Sequence, residues 1–83
     1  MSARVKLPDP LDKLLRFQLE RAIYEAALHQ DDEFIAKRRI IDKADQVEVA
    51  TDLGWYRGAV STHEKYIFQR VADVAKQLYP NSA

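Results

Sequence analysis

Cysteine is absent from the 83 residues. Disulfides, a thiolate zinc site and a cysteine nucleophile are therefore excluded. Glycine occurs twice and proline three times, too few for an all-β protein, whose tight turns draw on both. No stretch approaches the roughly 18 apolar residues of a membrane-crossing helix, and the opening Met1-Ser2-Ala3-Arg4-Val5-Lys6 has no apolar run of the secretory kind. The expected location is the cytoplasm, the host's if the protein is viral. Net charge is lacking too. Thirteen basic and 13 acidic side chains cancel, so no overall cationic excess draws the chain to a polyanion.

What is present is a globular composition, 47% hydrophobic and 31% charged. A chain of this length makes one small domain of roughly three to five helices around a thin core. Charge is unevenly spread. From Asp9 to Ala36 acids outnumber bases seven to three, and from Lys37 to Arg70 bases outnumber acids seven to five.

Residues 1–8 are basic and unpatterned and read as a flexible arm. Asp9-Pro10-Leu11-Asp12 is a helix start, with Asp9 as cap and Pro10 in the first turn. Leu11, Leu14, Leu15, Leu19, Ala22, Ile23 and Ala26 then recur at helical spacing, which predicts a helix to about His29. A second apolar line, Phe17, Tyr24 and Leu28, lies off that stripe. A two-sided helix in so small a protein must cover its second side, and another copy of the chain is one candidate, so residues 9–44 read as a helical oligomerisation segment. His29 to Glu33 is a polar interruption where Asp31 or Asp32 could cap a new helix, although a single helix from Pro10 to Ala44 also fits. Lys37, Arg38, Arg39 and Lys43 form a basic run that is either a solvated helix face or a set of phosphate contacts.

The most informative stretch runs from Gln46 to Thr62. It reads as a short apolar helix with small Ala50 inside, a glycine suited to positive φ at Gly54, then a second helix. Val49, Leu53, Trp55 and Val60 are its expected core contacts. Trp55 reads as the main packing residue and Tyr56 as the more exposed of the pair. Ile67, Val71, Val74, Ala75 and Leu78 continue the last helix to Tyr79, where Pro80 stops it. A rival reading stays open. Ser61-Thr62-His63-Glu64 has the form of a capping box, which would start the last helix at Thr62 and leave 47–60 as a loop or a hairpin of alternating Val47, Val49 and Thr51.

Gln46, Ala50, Leu53-Gly54 and Val60-Ser61 fall where the helix-turn-helix of the phage repressor proteins, the lambda Cro and repressor type, has its characteristic residues. The stretch resembles that motif over roughly twenty residues and nothing beyond them. Trp55 is larger than the aliphatic residue usual after the turn glycine, and His63 replaces a more commonly apolar residue. The resemblance implies an all-α bundle with a C-terminal helix-turn-helix over 46–79, binding double-stranded DNA as a small phage or bacterial transcriptional regulator. The implied contacts are Gln46 on phosphate, Tyr56 and Arg57 at the start of the second helix, Ser61 and Thr62 on base edges or backbone, and Lys65 on phosphate. A homo-oligomer would present two such helices.

Chemistry of other kinds has little support. His29 and His63 share no metal-ligand spacing, the carboxylates pair with no nucleophile, and there is no glycine-rich phosphate loop. No enzyme, metal or cofactor is expected. His63, one turn before Ile67, reads as a partly buried, hydrogen-bonded packing residue. The second class of function is a small helical phage protein, an assembly component or an inhibitor, acting through protein contacts on the two-sided first helix and the Trp55-Tyr56 patch.

Overall fold

The computed structural model describes residues 6–81. Its helices are α1 (Arg16–Glu25), α2 (Gln30–Ala36), α3 (Gln46–Leu53) and α4 (Arg57–Leu78), with a 3-10 turn at Leu11–Lys13 and a π-helical turn at Lys37–Ile41. Among the described residues there is no strand. The fold is the all-α bundle with a C-terminal helix-turn-helix, and the hairpin reading of 47–60 falls. No helix among these residues is long and apolar enough to cross a membrane.

Helix α4 is the axis. Its 22 residues extend about 33 Å at 1.5 Å per residue. Val60, Ile67, Val71, Val74 and Ala75 form its buried stripe, and α1, α2 and α3 all pack against it. Ile23 of α1, Ile35 of α2, Ile40 of the π turn and Val49 of α3 complete the core, each with no more than 1% of its surface exposed. Each such side chain contributes about 1.5–3 kcal/mol by burial. No polar or charged side chain among the described residues is fully buried, so apolar contact alone holds the centre.

Several helix ends lie elsewhere than periodicity predicts. The helix expected from Pro10 makes only one 3-10 turn, with Leu11 buried beneath it. Asp9 pairs with Lys13 at 2.6 Å instead of capping. The chain then extends through Leu14 and Leu15. Helix α1 starts at Arg16 because the Gln18 side chain reaches back to accept the Leu15 N–H at 2.8 Å. It stops at Glu25, short of His29, where Ala27 takes a left-handed φ of 51°. Arg70 of α4 donates to the Ala26 carbonyl at 3.2 Å, satisfying an acceptor that a continuing helix would have used. Leu28 thus lies beyond α1 and packs against the core.

His29, not Asp31 or Asp32, occupies the cap position of α2, and Asp31, Asp32 and Glu33 fill its first turn, favourably placed for the helix dipole. The single helix from Pro10 to Ala44 is therefore excluded. The last helix begins at Arg57, so the Ser61–Glu64 box is not used as a helix start. Glu64 is engaged elsewhere, with Arg39 and Gln46. Of the expected arm, Met1 to Val5 lie outside the described residues; Leu7 packs against the core, and Lys6 to Pro8 lie beside α4.

Candidate nucleic-acid interface

The helix-turn-helix is built from three local devices. Asp45 caps α3, its carboxylate accepting the Glu48 N–H at 2.8 Å. Val49 and Ala50 are buried, and the small Ala50 suits close approach of α3 to α4. At the far end Trp55 N–H donates to Ala50 O at 2.9 Å and Gly54 N–H to Thr51 O at 3.2 Å. That pair of bonds is the Schellman arrangement, which needs a left-handed residue where glycine stands. Gly54 has φ 73° and ψ 24°. Three residues, Gly54 to Tyr56, separate the helices, the length typical of this motif.

The turn points Trp55 inward, half-buried against the core, and Tyr56 outward at 79% exposed. Arg57, Thr62 and Lys65 follow on the exposed side of α4, and Ser61 is half-buried at its edge. Tyr56 supplies no side-chain cap, and its carbonyl accepts the Ala59 N–H at 3.0 Å. Between Leu53 and Ala72 the only carboxylate in the sequence is Glu64. It is turned inward, 12% exposed, against Arg39.

Gln46 does not join this surface. Its amide donates to Glu64 at 3.1 Å and is half-buried. The phosphate contact implied for it is replaced by a strut between α3 and α4. The basic run is likewise occupied. Arg38 reaches Asp42 at 3.1 Å, Glu48 at 2.7 Å and Asp52 at 3.3 Å. The hydrogen bonds it donates to Asp42 and then Glu48 raise its pKa above the ordinary value. Arg39 pairs with Glu64 and donates to Ala44 O at 2.7 Å. Lys43 donates to Ile40 O at 2.8 Å, and Lys37 lies 3.8 Å from Glu33. The π-helical turn widens the backbone here, aiming successive arginines at different helices. Arg38 and Arg39 therefore tie this turn to α3 and α4.

His63 is 45% exposed along its side chain, so it is not on the buried stripe. Its Nδ1 lies 2.8 Å from Asp32 of α2, and its ring is tilted 52° against Trp55 with centroids 4.8 Å apart. This brings the acidic start of α2 to one flank of α4. Sequence reasoning missed Tyr66, 61% exposed one turn after Thr62. Its place off the Val60–Ile67–Val71 stripe was the available signal. Among the described residues no group of three His, Asp or Glu side chains converges as a metal site.

On α1, Phe17 is 64% and Tyr24 75% exposed. The two share one side of α1, whereas Leu28, expected with them, is turned toward the core. A groove of about 400 Å³ runs beside Tyr24, between α1 and the π turn, with Arg16, Glu20, Lys37 and Asp42 on its rim. Comparisons with protein-family models, curated proteins and solved structures find no match to this chain.

Proposed function

We propose that the chain binds duplex DNA sequence-specifically through the start of α4, as a small cytoplasmic transcriptional regulator of the phage or bacterial kind. One observation carries this reading. The helix after the glycine turn displays Tyr56, Arg57, Thr62 and Lys65 to solvent with no carboxylate among them. In the major groove the start of α4 places Arg57 at a guanine edge, where its fork matches O6 and N7, with Ser61 and Thr62 beside neighbouring bases. Lys65 meets phosphate. The acids Glu48 and Asp52 make α3 a poor backbone contact, so α4 carries the interaction without Gln46. Two copies paired through Phe17 and Tyr24 present two such helices to a two-fold site.

Retention of a random duplex pool on the full chain tests the reading. Binding is expected at low salt and falls steeply as salt rises. R57E or K65E is expected to weaken it about tenfold or more. Retention that is absent at low salt, or indifferent to R57E, would falsify it.

The alternative, an assembly or inhibitor protein acting through protein contacts, is favoured by the exposed pair Phe17 and Tyr24 and by the acidic flank at Asp31 and Asp32. In that case charge reversal at Arg57 leaves partner binding intact.

A further inference from the structure

We propose that a second surface, the groove between the entering chain and α4, receives an acidic amphipathic helix from a partner protein. The groove encloses about 570 Å³, with Lys6 to Asp9 on one side and α4 from Lys65 to Lys76 on the other. Its floor is apolar: Leu7, Pro8 and Phe68 are half-buried and Ala72 is 3% exposed. Its rim is cationic. Lys6, Lys65 and Lys76 are exposed, and none of them belongs to an ion pair among the described residues. The one carboxylate at the rim, Asp9, is bound to Lys13 at 2.6 Å.

The spacing sets the occupant's length. Lys65 and Lys76 lie on the same side of α4, three turns or about 16 Å apart. A helix of similar length, with an apolar stripe on Phe68 and Leu7 and carboxylates toward the lysines, matches both features. A duplex offers phosphates but nothing apolar to cover the floor. A second copy of this chain is the poorer fit, because at its acidic helix start Asp32 is engaged with His63 and Glu33 lies 3.8 Å from Lys37, which leaves Asp31 as the one acid there outside an ion pair. The acids of α3 are likewise engaged with Arg38. Lys65 also borders the DNA-binding surface proposed above, so the helix competes with duplex there while Arg57 remains outside the groove.

The test is fluorescence anisotropy of a labelled Glu/Leu amphipathic helical peptide titrated with the full chain, with a Lys/Leu peptide of the same length as control. Saturable binding of the acidic peptide alone is expected. K65E/K76E should weaken it about tenfold, added salt should weaken it further, and R57E should leave it unchanged. Circular dichroism verifies that each variant is folded. The proposal is overturned if the two peptides bind alike or if K65E/K76E has no effect. It is also overturned if the chain self-associates through a contact that the same reversals abolish. No DNA is present in this assay, so its outcome is separate from that of duplex retention.

Discussion

The two glycines do opposite work, and substitution separates them. At Gly54 a Cβ would touch nothing within 4 Å, so the cost of alanine is the left-handed backbone alone, about 1–2 kcal/mol. At Gly58 the backbone is helical, and a Cβ would meet only the Tyr56 ring, 3.1 Å from its Cε2. That ring is exposed and can swing away. Gly58→Ala is expected to stabilise by about 0.5–1 kcal/mol, and denaturant titration of both variants should show shifts of opposite sign. Glu64 is a different case, because it serves Arg39 and Gln46 together. Glu64→Ala strands a guanidinium that is 11% exposed and should cost about 3 kcal/mol. A midpoint shift close to zero would show the pair to be fully hydrated in solution.

Among the elements, α3 is the shortest that the proposed site depends on, with eight residues. So short a helix depends on its ends and on packing. Asp45→Ala removes the cap and should cost about 1 kcal/mol, with faster amide exchange at Glu48 than in the parent chain. The α3–α4 unit was legible because both its signals are local: small Ala50 inside the helix, glycine after it. The break between α1 and α2 was legible only as a polar interruption at His29 to Glu33, with a single helix still open. Its left-handed residue is Ala27, which advertises nothing, and the carbonyl it frees is satisfied by Arg70, 44 positions away. For the same reason the contact of Gln46 with Glu64 was not legible. Glu64 lies 18 residues on and was itself read as part of a capping box.

At the scale of the molecule, zero net charge conceals a separation. Asp42, Glu48 and Asp52 gather around the single Arg38 on the α2–α3 side, while Lys6, Lys65 and Lys76 line α4. Composition could not display this, since it depends on which helices are neighbours. Exposed apolar side chains are spread over the helices, with Phe17 and Tyr24 on α1, Val47 on α3 and Tyr66 on α4. Because Phe17 and Tyr24 are mostly exposed, replacing both with serine should change stability by no more than about 0.5 kcal/mol each. Sedimentation velocity should nevertheless show the parent chain as an oligomer and the double variant as a monomer. A parent chain that sediments as a monomer at every concentration removes the two-fold arrangement.

The packing of Trp55 against His63 has a practical consequence. It is the sole indole in the chain, set at the hinge of the two helices and leaning on an imidazole ring. Its emission is thus an unlabelled optical gauge of that corner, sensitive to anything that settles on the neighbouring helix start.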